Sequence, residues 1–99
     1  MSTKLDTKTT PKTDKPKKFA VVFYNDDFTP MDFVVAIMQQ VFGHDAASAN
    51  AVTMDIHKKG KGVAGVYTHE IAESKAAIAM KTAISYEFPL KAEVQPEEG

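Results

Sequence analysis

The spacing of apolar residues changes along this chain, and each change marks an element. Phe19 to Tyr24 is an unbroken run of six apolar residues, rich in aromatic and β-branched side chains, which predicts a buried strand. Beyond it, Phe33, Val34, Ile37, Met38, Val41 and Phe42 recur at the spacing of one wide helix face, so a helix is expected over residues 30–42. Thr29 suits its N-cap, Pro30 its first position and Asp32 the N3 site, where a carboxylate favours the positive end of the dipole. Phe28 and Phe33 then take the two positions of a hydrophobic staple, and Gly43 is placed to end the helix.

A second helix is expected from Asp45 as N-cap through Ala49, Val52, Thr53 and Ile56 to His57, broken by Lys58-Lys59-Gly60-Lys61-Gly62. Val63 to Tyr67 predicts a short strand with a glycine inside it. Thr68 caps a third helix, whose stripe runs through Ile71, Ala72, Lys75, Ile78, Ala79, Thr82 and Tyr86. Ala76, Ala77 and Ala83 keep the neighbouring surface small, and Pro89 stops the helix. Leu90 to Gln95 alternates apolar and polar residues with period two, as a half-exposed strand does.

The order β-α-α-β-α-β predicts one small α+β domain, a three-stranded antiparallel sheet packed against three helices. Composition limits where that domain lies. Residues 1–18 hold six Lys against two Asp, and Leu5 is their one large apolar residue beyond Met1, so a disordered basic extension is expected there. Residues 19–95 form the expected domain, and 96–99 an acidic frayed end. The extension carries +4, and six Lys against eleven acids leave residues 19–99 at −5. There is no Cys, which excludes disulfides and thiolate metal sites, and no apolar run long enough to span a membrane. All twelve basic residues are Lys, and the missing Arg speaks against specific nucleic-acid recognition.

Candidate chemistry gathers where the first strand meets the first helix. Asn25 and Asp27 stand two apart, so an extended backbone sends both side chains to one face beside apolar neighbours. An amide oxygen and a carboxylate so placed suit a small cation with hydrogen-bond donors. Asn, Asp and Pro are equally the residues of an ordinary turn, and local chemistry leaves both readings open. Enzyme readings find little support. Asp26 and Asp27 are adjacent and form no separated acid/base pair, and there is no phosphate loop and no nucleophile elbow. His44, His57 and His69 lack the i, i+4 spacing of a zinc helix. The residues favour binding over catalysis, with no cofactor and no metal.

Three blocks carry a resemblance: Asn25 to Val34, Ile56 to Gly60, and Gly65 to Lys75. In this order they resemble the signature of ClpS, the adaptor family of the bacterial ATP-dependent Clp protease, over about residues 19–95. The resemblance implies a cytoplasmic, bacterial, monomeric adaptor and not an enzyme. Such an adaptor holds the free N-terminus of proteins beginning with Phe, Tyr, Trp or Leu and delivers them to the ClpA unfoldase. By matching motif, it assigns the N-terminal ammonium group to Asn25, Asp27 and His57, with Asp26 as a neighbour that either joins them or holds the loop. It assigns the side-chain pocket to Met31, Val34, Thr53, Ile56 and Leu90, with Phe23 contributing, and loop support to Thr29 and Pro30. Tyr67, Thr68, Glu70 and Lys75 map to the unfoldase contact.

Thr53 departs from the family, which commonly has Met there, and the resemblance thus implies an altered ranking of first residues, towards a larger or more polar ring. Locally, the pocket residues equally suit core packing, and the helix residues at 67–75 equally suit a solvated face. Two other classes remain from sequence: an interaction module of the same fold that binds another amino-containing or basic ligand, and a small metal-dependent hydrolase.

Overall fold

The computed structural model describes residues 17–97, so the extension expected at 1–18 lies almost entirely outside the described residues, as do 98–99. Six elements follow in the expected order: β1 (Phe19–Tyr24), α1 (Met31–Gln40), α2 (Ala46–Lys59), β2 (Lys61–Tyr67), α3 (His69–Ser85) and β3 (Lys91–Pro96). The sheet is antiparallel with order β2-β1-β3. β1 is central because its residues are apolar on both faces. Val21 and Phe23 enter the helix-side core with Ala64, Ala92 and Val34, while Ala20 and Val22 are buried on the opposite face. On that face Tyr24 donates to Glu93 Oε1 at 2.9 Å, and Gln95 Nε2 donates to the Tyr24 oxygen at 2.9 Å. This polar ladder joins the outward positions of β1 and β3.

Helix ends follow their local chemistry, with several corrections. Asp45 caps α2 as expected, accepting from Ser48 N–H at 2.8 Å, and Gly60 ends it at a φ of 92°, a left-handed conformation glycine adopts without penalty. The N-cap of α1, however, is Pro30 and not Thr29, whose hydroxyl turns back to Asp26 Oδ2 at 2.8 Å. The staple is also absent: Phe28 is 78% exposed, and Phe33 instead packs on Phe88 and Tyr86, at centroid distances of 5.0 and 5.4 Å. α1 stops at Gln40, earlier than expected, and Lys75 Nζ donates to the freed Val41 carbonyl at 2.7 Å.

A further correction concerns the face of α3. Its buried residues are Ala72, Ala76, Ala79 and Ala83, whereas Ile71, Ile78 and Tyr86 of the expected stripe are exposed. Small side chains let the helix axis come close to the sheet, and dispersion attraction along that whole line outweighs burial of a few larger residues. α3 ends at Ser85 instead of running to Pro89, because Phe88 N–H returns to Ala83 O at 2.9 Å and Glu87 takes a φ of 65°.

These faces differ in their tolerance. Ala79→Leu should cost about 1–3 kcal/mol by overpacking, and Ile78→Ser less than about 0.5 kcal/mol. Urea unfolding of both variants measures this, and the reverse order of losses would return the isoleucines to the core.

Candidate functional site

The end of β1 is brought to the end of α2 by pairing and by one further backbone bond. Tyr24 pairs with Lys61, and Asn25 N–H then donates to Gly60 O at 2.9 Å. His57 lies three residues before Gly60, on the last turn of α2, and Asp27 two residues beyond Asn25. Asn25, Asp27 and His57 therefore belong to two segments tied together at this junction. All three are exposed, and none of their side chains is hydrogen-bonded or ion-paired to another described residue. Gly62 permits the closeness: a Cβ there would stand 2.9 Å from Ile56 Cγ1 and 3.5 Å from the Val52 carbonyl. A larger residue would force the Ile56 side chain to shift.

Asp26 has a different task. Its Oδ1 accepts from Phe28 N–H at 2.8 Å and Thr29 N–H at 2.7 Å, and its Oδ2 from the Thr29 hydroxyl at 2.8 Å. Partial burial raises its pKa, but these bonds together outweigh that effect and hold the carboxyl below its ordinary 3.8. Both oxygens are thus committed to the loop, together with Thr29. Pro30 contributes through its carbonyl, which accepts from Phe33 and Val34 N–H at 3.1 and 3.3 Å.

Behind the junction stand the apolar residues. Phe23, Val34, Ile56 and Leu90 are members of one buried cluster, and Met31, at the start of α1, is 40% exposed. Thr53 is 2% exposed, with its hydroxyl donating to Ala49 O at 2.8 Å, and it precedes His57 by one helical turn. The described residues enclose no cavity at this place, so the buried cluster is packed, and Met31 stands exposed at the start of α1.

The four residues at the start of α3 divide in two. Thr68 and Glu70 are exposed. Tyr67 is half-buried, its ring lying over Gly65, and burial raises the pKa of its phenol. Lys75, besides holding Val41 O, has its ammonium 5.3 Å from the Tyr67 ring centroid and 5.9 Å from that of Phe42. Sequence reasoning missed this linkage, which joins positions far apart in the chain, and it missed His44. Nε2 of His44 lies 2.7 Å from Ala64 O, an acceptor, so that nitrogen carries the proton and donates. His69 lies 3.3 Å from Glu73 and edge-on to Phe19. The three histidines serve separate places, and no metal-binding group of His, Asp and Glu exists among the described residues.

The model of the family described as "ATP-dependent Clp protease adaptor protein ClpS" matches residues 14–93. The chain is 53% identical over 83 residues to the ATP-dependent Clp protease adapter protein ClpS of Acetivibrio thermocellus, with 84% of each chain covered. It is 48% identical over 85 residues to that of Hydrogenovibrio crunogenus, covering 86% of this chain and 82% of the relative. Among solved structures, Agrobacterium tumefaciens ClpS2 bound to L-phenylalaninamide superimposes with a TM-score of 0.81 at 35% identity, over 84% of this chain and 100% of that one.

The Asp26 loop titrates with a definite sign. Its folded carboxyl has the lower pKa, so its stabilisation is complete above the unfolded value and is lost as pH falls through the folded one. Asp26→Asn should be about 1 kcal/mol less stable than the wild type at neutral pH, and the gap should close as the pH drops below about 4. Unfolding by urea across that range checks it. A gap independent of pH would remove the carboxylate from the loop's stability.

Proposed function

The chain belongs to the ClpS family of ATP-dependent Clp protease adaptors, which are not enzymes, and from that premise we propose that its junction captures the free N-terminus of proteins that begin with a bulky hydrophobic residue. The observation that carries this reading is the exposed triplet Asn25, Asp27 and His57, its polar atoms unpaired among the described residues, beside an apolar wall. L-phenylalaninamide, the ligand of the similar ClpS2, supports it. That molecule has a free α-amino group and a Phe side chain, and its amide stands in for the first peptide bond of a protein.

The chemistry is complementary. An α-amino group has a pKa of about 7.7–8.0, so at neutral pH it is mostly an ammonium with three donors. Asn25 offers its amide oxygen, Asp27 its carboxylate and His57 an unprotonated ring nitrogen. Asp26, Thr29 and Pro30 hold the loop in shape, which lowers the ordering cost of binding. The first side chain goes to Met31, Val34, Thr53, Ile56, Leu90 and Phe23, with Met31 moving aside to admit it. Burying a Phe there contributes about 1.5–3 kcal/mol, and each hydrogen bond to the charge about 1.5–3 kcal/mol. After association costs, micromolar affinity, about −8 kcal/mol, is expected.

Delivery to a ClpA-type unfoldase uses a separate surface in this reading. Phe19 pairs with Tyr67 at one end of β1, and Tyr24 with Lys61 at the other. Five strand steps, about 17 Å, therefore separate the start of α3 from the ligand loop. A substrate and a partner can be held together. Thr68 and Glu70 supply accessible contacts, while Tyr67 and Lys75 shape the surface behind them. The basic segment 1–18 joins the domain at that same end of β1 and serves as the extension engaged during handover. The setting is the bacterial cytoplasm, and the adaptor acts as a monomer.

Fluorescence anisotropy with peptides beginning in Phe or Leu tests the capture. Free peptides should bind, and acetylation should weaken binding at least about a hundredfold by removing the charge, a loss of two units of 1.4 kcal/mol. Asp27→Ala and His57→Ala should each lose at least about tenfold. Raising the pH well above about 8 should weaken binding as the ligand amine loses its proton. Thr53→Met should reorder the Phe, Leu, Tyr and Trp peptides without abolishing binding, because the Thr53 hydroxyl hydrogen is committed to Ala49 O and the change is one of shape. Undiminished binding of the acetylated peptide would overturn ammonium capture.

Deleting residues 1–16 should spare peptide affinity and slow unfoldase-dependent degradation of an N-degron substrate. A truncated chain that delivers at the full rate would remove the extension from the mechanism.

A further inference from the structure

Phe28 is the most exposed of the large hydrophobic side chains among the described residues, at 78%. Single apolar residues on a surface are ordinary, but the backbone that carries this one is held in place. Its own N–H and that of Thr29 are bound by Asp26, and the Thr29 hydroxyl completes the turn. Phe33, the partner it would need for burial, is engaged by Phe88 and Tyr86. The loop therefore displays an aromatic ring to solvent on a backbone fixed by two hydrogen bonds to Asp26, to which the Thr29 hydroxyl adds a third. Three residues on, Met31 is also exposed, at 40%.

Chain geometry keeps Phe28 close to the proposed amine site. Phe28 is next in sequence to Asp27, so their Cα atoms are about 3.8 Å apart. A peptide held by its α-amino group at Asp27 has its second Cα the same distance beyond its first. The second residue of such a peptide is thus held about one residue length from the loop that carries Phe28. A rigid aromatic on a pre-ordered loop loses little conformational freedom on contact, which is why such residues dominate small recognition surfaces.

We propose that Phe28 is a specificity-determining contact for the residue following the captured N-terminal one, favouring an apolar second side chain. The proposal rests on the amine-receptor reading of Asn25, Asp27 and His57. It extends the recognised element from one residue to two, and it gives the exposed ring an occupant, the second side chain of the bound protein.

Competition anisotropy with free-N-terminus peptides that begin Phe-Leu, Phe-Gly and Phe-Ser tests it, using the full chain. The wild type should bind Phe-Leu about five- to tenfold more tightly than the other two, the upper limit being 1.4 kcal/mol. Phe28→Ala should compress that ratio to within about twofold while leaving the Phe-Gly affinity within about twofold, and Phe28→Tyr should keep the preference. Thermal melting should show both variants as stable as the wild type, because the ring has no interior contact to lose. Equal wild-type affinities for the three peptides would overturn the proposal, as would a preference that survives Phe28→Ala or an equal loss for all peptides. Failure of every free peptide to bind would overturn the receptor reading beneath it, so the two failures are distinguishable.

Discussion

One backbone hydrogen bond, from Asn25 N–H to the Gly60 carbonyl, positions the rest of the site. It continues the β1–β2 pairing one step past Tyr24 and Lys61 and fastens the loop to the C-terminal end of α2. Gly60 accepts this bond from a left-handed conformation that ends the helix, and Gly62 lets Ile56 pack where a Cβ would collide. Two glycines thus shape the turn from α2 into β2, where the loop of Asn25 is tied. The bond lies beneath the exposed polar groups, and the loop beyond it is held by Asp26.

A second constraint sets the other end of the domain. α3 approaches the sheet along a line of alanines, which leaves Lys75 at its flank close enough to bind the carbonyl left open where α1 stops. The same lysine lies over Tyr67 and Phe42, so one side chain joins α1, β2 and α3. His44 performs a related service for the Ala64 carbonyl of β2. These contacts give the start of α3 a fixed shape far from the ligand loop. In the proposed adaptor, capture and delivery occupy opposite ends of one central strand.

Much of this was legible in the sequence where the signal is local. Asp45 caps α2 as read, though the helix runs two residues past His57 to Lys59, and the β1 limits at Phe19 and Tyr24 coincide with its apolar run. The family signature also pointed to Asn25, Asp27 and His57, and the fold ties their two segments together at one junction. Misreadings arose where two local rules competed. Thr29 fits an N-cap, but Asp26 three residues earlier offers its hydroxyl a charged acceptor. Ile71 and Ile78 outrank alanine in hydrophobicity, yet close approach to the sheet favours the alanine line. The Lys75 to Val41 bond and the aromatic group of Phe33, Tyr86 and Phe88 depend on tertiary proximity that no spacing rule contains.

The central claim is capture of a charged α-amino group at the junction of β1 and α2. The most direct measurement is an amide NMR titration of the full chain with L-phenylalaninamide and, separately, with its N-acetylated form. Capture predicts saturable shifts concentrated at Asn25, Asp27, Met31 and His57 with the free amine and none there with the acetylated compound. Equal shifts with both compounds, or shifts confined to other surfaces, would contradict it.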